Sequence, residues 1–190
     1  MLPRLPQSNQ ILLLAFLLLA GILRSGLAET IACRDCNGEL RHPFDLAGRK
    51  ALVLIFISRE CPISNSLAPE INRIVMAYTN FSFYLVDADP DTKPQDARKH
   101  KRDFELQAPL LLDPGHILVK IAGATMTPQA VALDPQRKIL YRGRINDLYA
   151  ALGKKRPKPT RNDLRDALDA IAAGKPIVQV ETEVIGCYIP

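Results

Sequence analysis

The sequence predicts an α/β domain built as a three-layer sandwich, with a mixed central sheet and an N-terminal hairpin extension. Three observations predict it. Ala51 to Ser58 reads ALVLIFIS, an uninterrupted apolar run of strand length and the pattern of a strand buried on both faces. Directly after it, Ile63, Leu67, Ile71, Ile74, Val75 and Tyr78 recur at helical spacing and make one apolar stripe. Strand and helix patterns then alternate, and the chain closes with a strand pair and a last helix, the order of a sheet covered by helices.

Taken in order, the first 28 residues stand apart. Arg4 precedes the apolar run Ile11 to Leu23, and Gly26-Leu27-Ala28 supplies the small residues of a secretory cleavage site. That run of 13 residues is short of the roughly 20 a membrane-spanning helix needs. Residues 1–28 are therefore expected to be a cleaved signal peptide, placing the chain in the periplasm or outside the cell. A membrane anchor, through this segment uncleaved, is the lesser alternative. Its removal takes Arg4 and Arg24, leaving 23 of the 25 basic residues against 20 acidic ones and a net charge of about +3. That excess points to no nucleic-acid partner. The basic residues around Arg142, Arg144, Lys154, Lys155, Arg156, Lys158 and Arg161 could form an anion-binding rim but are expected to be a solvated surface loop.

Residues 29–175 make the domain, and 176–190 a C-terminal tail that carries Cys187. Cys36-Asn37-Gly38 reads as a hairpin turn. Pro62 suits a first helical position and puts Cys61 at or beside the N-cap. Phe81 to Ala88 is the next strand, a polar helix covers about 95–104, Pro109 to Asp113 a short strand and Gly115 to Ala122 a short helix. Gln129 to Leu133 and Lys138 to Tyr141 pair around Asp134-Pro135-Gln136-Arg137. A last helix is expected from Thr160, as its capping residue, to Ala173. Asp87, Asp89 and Asp91 read as a strand exit and helix cap.

The chemistry gathers at FISRECPISN, Phe56 to Asn65. A cysteine between a buried strand and a helix start meets unpaired N–H groups and the positive end of the helix dipole, which favour a thiolate. Cys61-Pro62-Ile63-Ser64 followed by Pro69 resembles the Cys-x-x-Cys signature and helix proline of the thioredoxin superfamily, with Ser64 at the place of the second cysteine. Met126-Thr127-Pro128, just before a strand, resembles that superfamily's cis-proline loop. From about Cys36 to Ala173, and again in the terminal GCYIP, the chain resembles exported redoxins of the alkyl hydroperoxide reductase and thiol-specific antioxidant branch.

The resemblance implies a thiol oxidoreductase on a thioredoxin-like fold. Cys61 is its redox-active thiolate and Cys187 its candidate resolver, with Ser64, Thr127 and Pro128 shaping the site. The implied partners are protein thiols or disulfides and a thiol electron donor, with no cofactor and no metal. A peroxiredoxin-like peroxide reductase is the alternative. Ser58 would stand for its threonine and Arg142 or Arg144 for its arginine, while Leu54 holds the proline position. Its substrates would be small peroxides.

Two further readings are a redox-inactive binding module, favoured by Ser64, and a copper-handling protein. The latter lacks one sulfur ligand at Ile57. Cys33 and Cys36, before a hairpin and not at a helix start, are expected to be a structural or accessory pair. His42 alone does not complete a zinc site with them. His100, within DARKHKRDF, is expected to be solvated, and His116 to stand at a helix start.

Overall fold

In the computed structural model, which describes residues 31–190, Cys33–Arg34 (β1) and Leu40–Arg41 (β2) form the expected antiparallel hairpin. The signal segment expected at 1–28 lies outside the described residues. The hairpin turns at Gly38, whose φ of +85° is a conformation that glycine adopts without steric cost. Asp35, buried, collects the N–H groups of Asn37 and Glu39 and the guanidinium of Arg41, closing the turn from inside.

The apolar run becomes β3 (Leu52–Ile57), buried at every position, as a strand covered on both faces must be. Pro62–Ala77 (α1) follows with Pro62 in its first turn and Pro69 inside it. Then come Ser82–Asp87 (β4), Pro94–Asp103 (α2), Leu110–Leu112 (β5) and Ile117–Ala122 (α3). Met126–Thr127 (β6), Gln129–Leu133 (β7) and Ile139–Gly143 (β8) lead to a small hairpin of Tyr149–Ala151 (β9) and Lys154–Lys155 (β10). Asp163–Ala172 (α4) and Cys187–Tyr188 (β11) complete the order.

Five strands make the central sheet in the order β5-β4-β3-β7-β8. β3 runs parallel to β4, with Ile57 beside Asp87, and antiparallel to β7, with Phe56 beside Gln129. The sheet is therefore mixed. Its two faces sort the alternate residues of β3. Val53, Ile55 and Ile57 pack with Ile63, Leu67, Ile71 and Ile74 of α1 and with Leu164 and Leu168 of α4. Leu52, Leu54 and Phe56 pack with Leu118 and Ala122 of α3 and with Leu46. Each fully buried valine, leucine, isoleucine or phenylalanine among them contributes about 1.5–3 kcal/mol relative to exposure. Among the described residues no helix is long and apolar enough to cross a membrane.

Four expectations are corrected. Thr160 does not cap α4: Asn162 holds the N-cap position, while the N–H and hydroxyl of Thr160 go to the carboxylate of Asp147. Cys33 and Cys36 are not a pair, because their thiols enter different apolar clusters on opposite faces and both are free. Burial, with the charge of Asp113 added, pushes Cys33 up to about 11. His100 is buried, its Nε2 is 2.8 Å from Oδ1 of Asn65, and its ring stands edge-on to Phe104. Of the basic stretch, Lys154 and Lys155 are exposed as expected but form a strand.

Candidate active site

Cys61 sits where the loop leaving β3 enters α1, at the N-cap position with extended backbone (φ −91°, ψ 109°). Its carbonyl accepts the N–H of Asn65 at 3.0 Å, so the helix begins immediately after the sulfur-bearing residue. The side chain is 1 % exposed, and its Sγ lies 3.2 Å from the carbonyl oxygen of Thr127. Thr127 belongs to β6 and is joined to Pro128 by a cis peptide bond. Gln129 fixes this segment from the start of β7: its side-chain oxygen accepts the N–H groups of Thr125 at 2.8 Å and Met126 at 3.1 Å.

The tail brings the second sulfur. Past α4 the chain returns along the outer edge of β8, where Arg142 N donates to Val180 O at 2.9 Å and Thr182 N to Arg142 O at 3.1 Å. The hydroxyls of Thr182 and Tyr141 lie 2.9 Å apart and pin the crossing. Beyond it, β11 pairs antiparallel with β6, Cys187 opposite Thr127 and Tyr188 opposite Met126. Sγ of Cys187 then stands 2.7 Å from Sγ of Cys61. A disulfide bond is about 2.05 Å long, so the two thiols are within a small movement of one another. Burial first, then the bond to Cys61 and the electrostatic influence of that neighbouring sulfur, push the Cys187 thiol up to about 11.

The other expected residues divide. Ser64 is 2 % exposed, and its hydroxyl accepts the N–H of Ser58 at 3.3 Å, tying the loop before Cys61 to the first turns of α1. Ser58 itself accepts the N–H of Glu60 with its hydroxyl at 3.2 Å, and among the described residues no hydrogen bond joins that hydroxyl to the Cys61 sulfur. Arg142 is likewise not brought to Cys61. Its guanidinium is held by Glu181 of the tail at 2.7 Å and reaches the carbonyl of Gly123. Arg144 is committed to Asp163 at 2.7 Å. Leu54 is buried in mid-strand among the apolar residues on the α3 side of the sheet. Thus the hydroxyl and arginine that a peroxide site would place at the thiol are engaged elsewhere.

His116 starts α3 as expected, and its Nε2 is 2.8 Å from the carbonyl of Ala88. Among the described residues no group of three or more His, Cys, Asp or Glu side chains is placed to hold a metal ion. Asp87 ends β4 buried, with its Oδ1 accepting the N–H of Asp89, and burial raises it to about 6. Sequence reasoning missed Gln129, which gives no signal in sequence. Gly186 is legible as the glycine that frees the backbone beside the tail cysteine, but its part is steric: it has no positive φ, and a Cβ there would overlap the carbonyl oxygen of Thr127.

No family model and no curated protein matches the chain. Solved structures do. An uncharacterised conserved protein from Geobacillus kaustophilus is 25 % identical with a TM-score of 0.73 over 84 % of this chain and 87 % of its own. A hypothetical protein from Sinorhizobium meliloti 1021 is 24 % identical with a TM-score of 0.73 over 84 % of this chain and 89 % of its own. A secreted disulfide oxidoreductase from Mycobacterium tuberculosis is 13 % identical with a TM-score of 0.54 over 76 % of this chain and 96 % of its own. With a mixed five-stranded sheet between helices, a cysteine at the first helix and a cis-proline loop facing it, the chain has a thioredoxin-like fold.

Proposed function

We propose that the chain is an exported thiol-disulfide oxidoreductase in which Cys61 is the attacking sulfur and Cys187 the resolving one. The observation that carries this reading is the 2.7 Å between their sulfurs, which supplies from the tail the second thiol that Ser64 withholds from the helix. The Cys61 thiolate attacks one sulfur of a substrate disulfide, the other sulfur leaves as a thiolate and takes up a proton, and a mixed disulfide remains. Cys187 then attacks Sγ of Cys61, the substrate sulfur leaves, and a Cys61–Cys187 disulfide forms. Two electrons have passed from the cysteine pair to the substrate, and a thiol donor returns them.

Electrostatics gives the order of these steps. While Cys61 is an anion, its charge and its bond to Cys187 help to hold the Cys187 proton in place. Once Cys61 enters a disulfide both influences vanish while that of burial remains, so Cys187 gives up its proton more readily after the first step than before it. The disulfide oxidoreductase of Mycobacterium tuberculosis, similar in fold and secreted, supports both the kind of reaction and the export implied by residues 1–28.

The test is reduction of a disulfide-bonded protein in the presence of a thiol donor, beside consumption of hydrogen peroxide. Wild type is expected to turn over the disulfide, Cys61→Ser to be inert, and Cys187→Ser to accumulate the mixed disulfide. Faster peroxide consumption than disulfide exchange would instead make the chain a peroxide reductase. A Cys61 inert toward both would leave a redox-inactive binding module.

A further inference from the structure

The strand edge at Met126–Thr127 is held almost wholly by main-chain contacts. Cys187 and Tyr188 pair with it, Ile189 N donates to Thr125 O at 3.0 Å, and the Thr127 hydroxyl reaches the Cys187 carbonyl at 3.5 Å. Such an edge accepts extended backbone with little regard to side chains. Tyr188 is 84 % exposed, so the residue after the cysteine is unconstrained. The residue before it is not. A Cβ at Gly186 would overlap the carbonyl oxygen of Thr127 and would lie 2.8 Å from its carbonyl carbon and 3.3 Å from Pro128 N. These are buried backbone atoms, which cannot move aside as the end of a flexible side chain does. The occupant is held there by a ladder two residues long and one bond beyond it, from Ile189, and it lies outside the central sheet, so it can lift without opening that sheet.

We propose that the tail stands where a substrate segment pairs with this edge, and that the edge selects segments with glycine directly before the reacting cysteine. The inference rests on the Cys61–Cys187 chemistry above and adds a sequence preference to it. When the tail lifts, a Gly-Cys segment pairs with Met126–Thr127 and presents its sulfur to Cys61. The substrate S–S bond breaks, its far sulfur leaves as a thiolate, and the Cys61–substrate disulfide forms. The tail then returns to the edge that the substrate occupies. Its Cys187 attacks Sγ of Cys61 and the substrate cysteine leaves as a thiolate. Resolution and release of the product strand are thus one movement. The external thiol donor reduces the pair and closes the cycle.

The test uses the full chain carrying Cys187→Ser and two peptides, Val-Ile-Gly-Cys-Tyr-Ile and Val-Ile-Ala-Cys-Tyr-Ile. Each peptide carries its cysteine as a mixed disulfide with nitrothiobenzoate. Release of the coloured thiol reports attack on the peptide sulfur, and mass spectrometry identifies the adduct on Cys61. The glycine peptide is expected to react about tenfold or more faster than the alanine peptide, as a backbone overlap of this kind demands. Equal rates would overturn the proposal. The symmetric aromatic disulfide of the same thiol separates the two levels: if Cys61 reacts with it and the peptides react alike, only the selectivity is wrong. If Cys61 does not react with it at all, the redox reading itself fails. Adding Gly186→Ala should raise the rate of the glycine peptide by loosening its competitor, and an unchanged rate would show that the tail is not the displaced occupant.

Discussion

Replacing Gly186 by alanine separates the fit of the tail from its chemistry, because both sulfurs remain. Gly186 does not have a positive φ, so alanine meets no backbone penalty and acts only through its added methyl group. That methyl falls on the Thr127 carbonyl and within 3.3 Å of Pro128 N, and overpacking of this kind costs about 1–3 kcal/mol. At about 1.4 kcal/mol per factor of ten, the docked tail becomes about 5- to 150-fold rarer, and the effective concentration of Cys187 at Cys61 falls with it. The assay is equilibration with reduced and oxidised glutathione, acid quenching, and measurement of the Cys61–Cys187 disulfide by mass spectrometry. Its equilibrium constant should fall by that factor while the melting temperature of the reduced domain changes little, since the sheet and its helices are made without β11. An unchanged constant would refute the steric argument, and collapse of the fold would refute the peripheral place given to the tail.

Other outcomes follow from the same geometry. Ser64→Ala leaves the Ser58 N–H without its side-chain acceptor; a loss of about 1 kcal/mol and a melting temperature lower by about 2–4 °C are expected. An unchanged melt would show that this bond contributes nothing. Asp87, raised by burial from 3.8 to about 6, keeps its proton more tightly folded than unfolded, so its contribution is full below about pH 4 and is lost as pH rises through 6. Denaturant titrations of Asp87→Asn against wild type should show the variant gaining about 3 kcal/mol relative to wild type across that window, and a constant difference would contradict it. In Cys61→Ser the bond and charge that help to hold the Cys187 proton are gone. The midpoint of Cys187 alkylation by iodoacetamide should then drop below about 11, and an unmoved midpoint would mean that the sulfurs are not adjacent in solution.

Much of this arrangement was legible in the sequence because periodicity records burial. The run at Leu52–Ile57 is apolar at every position because helices cover both faces, and the stripe Ile63, Leu67, Ile71 and Ile74 is the side of α1 turned to that sheet. The junction of the two placed Cys61, and Thr127-Pro128 is recognisable as a short motif. What stayed hidden depends on partners distant along the chain. Arg142 reads as a free cation until the tail brings Glu181 to it, and Thr160 reads as a cap until Asp147 takes its hydroxyl. His100 lies among four charged neighbours in sequence, yet with Ala97 it forms the inward side of α2, where Asn65 meets its ring. Cys33 and Cys36 look like a motif in sequence, but the hairpin sends them to opposite faces of the sheet. The tail gave the weakest pattern because its strand is only two residues long, and its place is set by Gly186 and the backbone it meets.

The most direct test of the central claim is non-reducing peptide mapping of the protein after mild oxidation. Within one chain, Cys61 is expected to be linked to Cys187, with Cys33 and Cys36 recovered as free thiols. Recovery of Cys61 joined to Cys33 or Cys36, or free throughout, would contradict it.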